Sequence, residues 1–221
     1  MVGQRRYHDG CAVAHGLDLV GERWALLVVR ELLLGPKRFS DLRAGLPSAS
    51  ADVLTTRLRE LTDNGIVRRR RLPAPAASWV YELTEWGAAL DQVIVGLARW
   101  SSGSAGMADR ALEPISVDSA TLALRAMFNP GRAGGTAETV GLRVEGQPFL
   151  VNVESGALTV ERAQPDNADL VDADLVIETD AHTLRSLLVG ATDLDITLGA
   201  GQVTLHGEPA RARDFLALFG H

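Results

Sequence analysis

The stretch Phe39–Arg71, FSDLRAGLPSASADVLTTRLRELTDNGIVRRRR, decides the fold of the first half of this 221-residue chain. Serine favours helix N-caps, so the stretch predicts a short helix over Asp41–Ala44, capped by Ser40, and a longer helix capped by Ser50. In the longer helix three leucines repeat at helical spacing and form one buried stripe, Leu54, Leu58 and Leu61. The pair Asn64-Gly65 ends this helix, because both residue types tolerate the left-handed backbone at a helix C-terminus.

Two short strands follow this helix, Ile66–Leu72 and Trp79–Leu83, with a turn over Pro73–Ser78 between them. The first strand carries four consecutive arginines, Arg68–Arg71. Because alternate side chains of a strand point to opposite faces, two arginines are expected on each face, and the hairpin has to be an exposed ribbon. Two helices followed by a basic hairpin are the layout of a winged helix-turn-helix, in which one helix enters the DNA major groove and the hairpin lies on the phosphates.

Helical periodicity also dominates the rest of the first half. Residues 24–34 are apolar on nearly all faces, which predicts a buried helix ended by Gly35-Pro36. A first helix and a last helix, the latter capped by Thr84, are amphipathic. Their apolar positions are Val13, Leu17 and Val20 in the first, and Leu90, Val93, Ile94, Leu97 and Trp100 in the last.

Charge divides the chain into two parts. Residues 1–106 hold 14 Lys and Arg against 11 Asp and Glu, a net charge of +3, whereas residues 107–221 hold 8 against 17, a net charge of −9. A small, polar stretch at 101–106 has the composition of a flexible linker. We therefore predict an N-terminal domain over residues 1–103, a linker over 104–114 and a C-terminal domain over 115–221.

The second half predicts an α+β domain with an antiparallel sheet, because short strands cluster first and mostly helices follow. The predicted strands are 140–145, 149–154, 158–162, 175–178 and 203–206, and the predicted helices are 121–128, 182–188 and 210–219. The predicted fold class of the whole chain is therefore α+β, a winged helix-turn-helix followed by a small α+β domain.

Several functional classes are not favoured. We predict neither an enzyme nor a cofactor, because no catalytic constellation or phosphate-binding glycine loop stands out. We predict no metal site, since the five histidines lack ligand spacing and the acidic run Asp166, Asp169, Asp172 and Asp174 lacks the pattern of a calcium loop. A single cysteine, Cys11, and the absence of long apolar runs predict a cytoplasmic protein without a membrane partner.

The first 100 or so residues resemble the HxlR-type winged-helix regulators, bacterial relatives of the MarR group. The motifs are Cys11, Gly21-Glu22-Arg23-Trp24, Leu32-Leu33-Leu34-Gly35, Arg38-Phe39-Ser40-Asp41-Leu42, residues 53–61 (VLTTRLREL), Gly65–Arg69 and residues 81–87 (YELTEWG). The resemblance implies a transcriptional regulator, and a homodimer formed through the first and last helices of this domain. The alternative is that the apolar face of the last helix packs within the monomer or on the C-terminal domain. The resemblance also makes Cys11 a candidate redox sensor, the alternative being a small buried side chain.

Residues from about 115 onwards resemble the sterol carrier protein type two fold, with Gly201–Pro209 (GQVTLHGEP) running into an amphipathic helix as the best marker. The resemblance implies an apolar pocket for a hydrophobic small-molecule effector. Candidate lining residues, each of which could equally be ordinary core, are Leu124, Met127, Phe128, Phe149, Leu187, Leu216 and Phe219.

Helical periodicity places a polar face of the longer helix on the side opposite the leucine stripe. Threonine and arginine on that face suit base contacts, whereas Lys37, Arg38 and the hairpin arginines suit phosphates. The alternative is an ordinary solvated face. The predicted DNA-binding residues are Lys37, Arg38, Ser50, Asp52, Thr55, Thr56, Arg57, Arg59, Arg69 and Arg71.

We interpret the chain as a dimeric regulator, more often a repressor than an activator, that binds a palindromic operator in double-stranded DNA. An alternative from another class is a carrier of lipids or hydrophobic metabolites that uses its winged helix for protein interaction. A steep salt dependence of duplex affinity separates the two.

Overall fold

The computed structural model describes residues 6–73, 77–110, 112–135, 137–163, 170 and 173–220. The chain divides into two compact units, Met1–Ile94 and Val95–His221; the boundaries at 103 and 115 stay predictions. The acidic residues Asp166, Asp169 and Asp172 and residues 74–76 of the predicted turn lie outside the described residues. In the described part of the chain no helix has the length and apolar character needed to cross a bilayer.

The first unit consists of helices and one β-ribbon. Its elements are α1 (Ala12–Val20), α2 (Ala25–Leu32), α3 (Phe39–Gly45), α4 (Ala51–Asp63), β1 (Val67–Arg71), β2 (Trp79–Leu83) and α5 (Glu85–Ala88). Helix α6 (Asp91–Ser102) begins in this unit and ends in the second. Strands β1 and β2 pair antiparallel, from Val67 opposite Leu83 to Arg71 opposite Trp79, which confirms the predicted hairpin.

Helix α4 is held in place by its apolar stripe. Leu54, Leu58 and Leu61 are buried in a core shared with α2, α3 and β1. The Ser50 side chain accepts a hydrogen bond from the Val53 amide at 3.3 Å, so the predicted N-cap is confirmed. Gly65 follows α4 with a φ of +71°, a left-handed conformation that glycine adopts without a steric cost.

Two predictions about helix ends are wrong. The residue before α3 is Arg38, not Ser40, and the Arg38 amide donates to Asp41 Oδ2 at 3.1 Å, so Asp41 supplies the cap from inside the helix. The helix that begins after Thr84 is not continuous but ends at Ala88, and α6 starts at Asp91. A Cβ on Gly87 would lie 2.0 Å from the Ile66 carbonyl oxygen, so the close approach of α5 to the chain before β1 requires glycine here.

The second unit is an α+β structure, as predicted. A 3-10 helix over Ala105–Arg110 follows α6, so the stretch predicted as a flexible linker contains helical residues at both ends. The remaining elements are α7 (Val117–Met127), α8 (Pro130–Ala133), β3 (Glu138–Val144), β4 (Gln147–Glu154), β5 (Ala157–Arg162), β6 (Val176–Thr179), α9 (Ala181–Leu188), α10 (Leu194–Gly199), β7 (Val203–His206) and α11 (Pro209–Leu216).

Strands β3–β7 form one sheet in the order β5-β4-β3-β6-β7. Three of its four pairings are antiparallel, but β3 and β6 run parallel, so the predicted antiparallel sheet is only partly correct. Gly141 on β3 lies opposite Val176, and a Cβ there would come within 2.9 Å of a Val176 methyl group. The missing side chain therefore leaves room for the Val176 methyl group on this face of the sheet.

Candidate nucleic-acid interface

The polar face of α4 lies opposite its buried leucines. Asp52, Thr55 and Arg59 are exposed, and Thr56 is half-buried beside them. Asp52 occupies the first turn, where a carboxylate interacts favourably with the helix dipole. The structure therefore brings four of the predicted residues onto one accessible surface, with Ser50 at its N-terminal end.

Both threonines on this face hydrogen-bond to their own helix. Thr55 Oγ1 donates to the Ala51 carbonyl at 2.8 Å, and Thr56 Oγ1 donates to the Asp52 carbonyl at 2.9 Å. These bonds fix the side-chain rotamers, so each threonine presents a defined surface.

Arg57 lies on the side of α4 and is paired with carboxylates. Its Nη1 atom lies 2.5 Å from Glu60 Oε2 and 3.9 Å from Glu22 Oε2, and its side chain is 15% exposed. The phosphate contact of Arg57 remains a prediction. Such a contact would require Arg57 to leave its ion pairs with Glu60 and Glu22.

The two predicted phosphate anchors before α3 differ. The Arg38 side chain is exposed. Lys37 Nζ lies 2.7 Å from Oε2 of the fully buried Glu31, and the lysine side chain is 15% exposed. The structure therefore leaves Arg38 accessible to a phosphate, whereas the ammonium group of Lys37 neutralises a carboxylate inside the fold.

One face of the β1–β2 ribbon holds an Arg–Glu–Arg cluster. Arg68 Nε donates to Glu82 Oε1 and Arg70 Nε donates to Glu82 Oε2, both at 2.7 Å, and Glu82 is buried. Burial favours the neutral acid, but the hydrogen bonds from Arg70 and Arg68 outweigh burial, so the pKa of Glu82 lies below its ordinary value. We call this surface the clamped face; its two cations share one carboxylate.

The opposite face of the ribbon carries arginines and aromatic rings. The Arg69 guanidinium carbon lies 4.6 Å from the ring centroid of Trp79 and 5.9 Å from that of Tyr81. Arg71 Nε donates to the Ala77 carbonyl at 3.3 Å, and both Arg71 and Trp79 are exposed. We call this surface the aromatic face. The ribbon therefore has two arginines on each side, as the alternation predicted.

Sequence reasoning missed Glu82, Trp79 and Tyr81 as parts of this surface. The signal was present in the register, because strand alternation places Glu82 with Arg68 and Arg70, and the aromatic residues with Arg69 and Arg71. It also missed Glu31, whose partner Lys37 is six residues away across a loop.

The predicted dimer surfaces are partly exposed in the single chain. On α1, Val13 is 69% exposed and Leu17 is 44% exposed. On α6, Val93, Leu97 and Trp100 are exposed, with Trp100 at 79%. The predicted apolar face of the last helix is divided, because Leu90 and Ile94 instead pack against the core of the first unit.

Cys11 is exposed and immediately precedes α1. Its amide donates to Asp9 Oδ1 at 2.8 Å. The structure thus places the thiol in reach of solvent, and the alternative of a buried side chain does not hold for the single chain.

The candidate pocket residues of the second unit lie in and beside its core. Leu124, Phe128, Phe149 and Phe219 are buried, and the rings of Phe128 and Phe219 are 6.2 Å apart. The others, Met127, Leu187 and Leu216, are half-buried. A ligand-lining role stays a prediction for all seven.

Comparison with known proteins identifies the first part of the chain. The HxlR-like helix-turn-helix family matches residues 19–108. The uncharacterized HTH-type transcriptional regulator YvaP of Bacillus subtilis is 37% identical over 86 residues, which make up 39% of this chain and 80% of YvaP. The HTH-type transcriptional regulator YodB of the same organism is 39% identical over 84 residues, 38% of this chain and 75% of YodB. The solved quinone-bound structure of YodB is 34% identical and covers 42% of this chain and 97% of its own, with a TM-score of 0.37.

These relatives are matched over most of their own length. The matched residues include α4 and the whole β1–β2 ribbon. The chain belongs to the HxlR-like helix-turn-helix family and is a DNA-binding transcriptional regulator.

Proposed function

We propose that the protein is a repressor that binds a palindromic operator as a homodimer, with α4 in the major groove and the ribbon on the sugar-phosphate backbone. The observation that carries the proposal is the accessible polar face of α4 in the same small unit as the two arginines of the aromatic face. In this arrangement α4 supplies base contacts and the ribbon supplies contacts that do not depend on sequence.

The two groups of residues have different roles. Arg59 is exposed and has the geometry to donate two hydrogen bonds to guanine O6 and N7. Arg38, Arg69 and Arg71 are cations outside the polar face of α4, and each phosphate that they neutralise steepens the salt dependence of binding by about one log unit.

Dimerisation supplies the affinity that one winged helix lacks. A twofold assembly through α1 and α6 presents two recognition helices about 34 Å apart, one duplex turn, to a palindrome. The support is that Val13 and Leu17 on α1 and Val93 on α6 are large apolar side chains exposed to solvent, as expected of a surface that a partner covers. Replacing Val93 by Glu should produce a monomer in sedimentation equilibrium and should weaken operator binding.

The test of DNA recognition begins with genomic fragments captured by the full chain. Arg59→Ala and Thr56→Ala should change which base pairs are preferred, whereas Arg69→Ala should weaken binding to all sequences alike. Thr62→Ala is the matched control, because Thr62 makes the same hydroxyl-to-carbonyl bond, to Leu58, at the far end of α4. Equal changes in preference from all four variants would contradict base reading by α4, and a flat salt dependence would favour the carrier function.

An assay on a promoter separates repression from activation. A reporter with a captured fragment placed over its promoter should be repressed by the native chain, and Arg59→Ala should release it. Stronger expression with the native chain than without it would show an activator.

We further propose that the second unit binds a hydrophobic effector beside Phe128, Phe149 and Phe219. The support is the sequence resemblance to a carrier fold and the aromatic content of this core. Palmitate added to the full chain should raise its melting temperature, since a ligand that binds only the folded state stabilises it, and it should change operator affinity. No shift in either quantity, with palmitate or with a sterol, would count against the pocket.

A further inference from the structure

The carboxylate of Glu31 on α2 is fully buried beside the helix-turn-helix. Arg30 Nη2 donates to its Oε1 atom at 2.8 Å, and Lys37 Nζ donates to its Oε2 atom at 2.7 Å. Burying a carboxylate is costly unless it is paired, and an apolar side chain would fill the same core position without that cost. Core packing alone therefore does not explain why a glutamate occupies position 31.

Glu31 also contacts the first helix of the helix-turn-helix. A Cβ atom on Gly45, the last residue of α3, would lie 2.3 Å from Glu31 Oε2 and 2.8 Å from its carboxyl carbon. The carboxylate thus lies directly against the α3 backbone, and any larger residue at this position would displace it.

Through Lys37 the same carboxylate reaches the ribbon. The Lys37 amide donates to the Tyr81 carbonyl at 2.9 Å, and the Tyr81 amide donates to the Lys37 carbonyl at 2.8 Å. Lys37 therefore extends the ribbon by one antiparallel bridge on the β2 side. Tyr81 lies opposite Arg69 in the β1–β2 register, so the bridge meets the ribbon at the rung that carries Arg69.

We propose that Glu31 is a positioning residue for DNA binding: by fixing Lys37 against α3, it holds the ribbon and its Arg69 at a defined place beside the helix-turn-helix. The inference rests on the proposed role of the ribbon in DNA binding. A buried ion pair is weak evidence for added stability, because desolvation offsets the attraction. The two short contacts of the Glu31 carboxylate fix where Lys37 Nζ lies, and we assign the pair to geometry on that ground.

The test uses Glu31→Gln in the full chain, with Glu22→Gln as the matched control, because Glu22 is a half-exposed carboxylate paired with Arg57 rather than with the ribbon. Without DNA, amide hydrogen exchange of β1 and β2 should rise about tenfold in Glu31→Gln, while the amides of α4 keep their protection. Glu22→Gln should change the exchange rates of neither the ribbon nor α4. Unchanged exchange in the ribbon would overturn the proposal.

The second readout is the coupling between Glu31 and Arg69 on a captured duplex. Arg69→Ala should weaken binding about tenfold in the native chain but less than about threefold in the Glu31→Gln background. The reason is that a displaced arginine contributes less to duplex binding, so its removal costs less affinity. Equal factors in both backgrounds would mean that Glu31 acts only on stability, and would overturn the proposal. A chain that binds no duplex would contradict the proposed function, while the exchange experiment would still test the positioning.

Gly45→Ala provides an independent route if Glu31→Gln does not fold. It leaves every charge in place and moves the carboxylate by steric contact. It should reproduce both the faster ribbon exchange and the reduced coupling. Native values for both in a folded Gly45→Ala chain would contradict the proposal.

Discussion

The two faces of the β1–β2 ribbon carry the same number of arginines but different surroundings. On the clamped face Arg68 and Arg70 share the buried carboxylate of Glu82, so the face has two positive charges and one negative charge. On the aromatic face Arg69 lies over Trp79, and Arg71 bonds a carbonyl. The four arginines are therefore not equivalent: one pair shares a buried carboxylate, whereas the other pair contacts aromatic rings and a backbone carbonyl.

The largest expected effect comes from the aromatic face. Replacing Arg69 and Arg71 together by Ala should weaken duplex binding about 100-fold at moderate salt and lower the slope of log Kd against log salt by about two. Filter binding or anisotropy over a range of salt concentrations measures both quantities.

The matched variant on the clamped face replaces Arg68 and Arg70 by Ala together with Glu82→Gln, so that no buried carboxylate is left without its arginines. Its net positive charge falls by one instead of two, so the slope should fall by about one unit. Equal changes of slope for the two variants would break the distinction between the faces.

The next effect is on stability and concerns Glu82. Glu82→Gln removes the charge that Arg68 and Arg70 share, and should lower the free energy of unfolding by about 2 kcal/mol, less than for a fully buried pair because both arginines are partly exposed. Urea denaturation followed by far-UV circular dichroism measures the loss. A change below about 0.5 kcal/mol would show that the shared carboxylate does not stabilise the ribbon.

The same carboxylate predicts a dependence of stability on pH. The pKa of Glu82 in the folded chain lies below its ordinary value of 4.5, so its ionised form favours folding. Its contribution is fully present above that ordinary value and is lost as the pH falls through the folded pKa. The difference in unfolding free energy between the native chain and Glu82→Gln should therefore shrink as the pH falls below 4.5.

A smaller effect belongs to Trp79. Trp79→Ala removes the ring under Arg69 and should weaken duplex binding about threefold, since a cation–π contact at an exposed site contributes about 0.5–1 kcal/mol. Trp79→Phe keeps an aromatic ring and should recover part of the loss. Binding titrations of both variants, made at one salt concentration, provide the measurement; a loss as large as that of Arg69→Ala would indicate a direct contact between the indole and DNA.

Cys11→Ser should have the smallest effect, because Cys11 lies before α1 and outside the polar face and ribbon. Duplex affinity of the reduced chain should be unchanged, and a response to an oxidant such as diamide should disappear if the thiol is the sensor. A response that persists in the variant would remove Cys11 from the mechanism.

Local periodicity explains why the helices and the ribbon could be predicted. The leucine stripe of α4, its Ser50 cap and the alternation along β1 are all contained within a few consecutive residues. The same holds for the antiparallel strands β3, β4 and β5, which follow one another with short turns.

The features that the sequence did not predict depend on contacts between residues that are far apart in the chain. The parallel pairing of β3 with β6 places Gly141 opposite Val176, and the contact of α5 with the chain before β1 places Gly87 against Ile66. Charges depend on distant contacts in the same way: the sequence predicts Lys37 as a phosphate contact, and only the fold shows its ammonium group 2.7 Å from the Glu31 carboxylate. Sequence patterns therefore predict which side chains lie at the surface, but they do not show which carboxylate each cation is paired with.

The hydrogen bonds of the two threonines on α4 limit what these residues can recognise. A hydroxyl whose hydrogen is held by a helix carbonyl can only accept, so Thr55 and Thr56 would offer lone pairs and methyl groups to a base edge. Exocyclic amino groups of adenine and cytosine and the thymine methyl group match that surface, whereas guanine shows only acceptors in the major groove and repels it. With α4 placed in the major groove as proposed, discrimination against guanine beneath these two side chains would follow from rotamers that the helix itself selects.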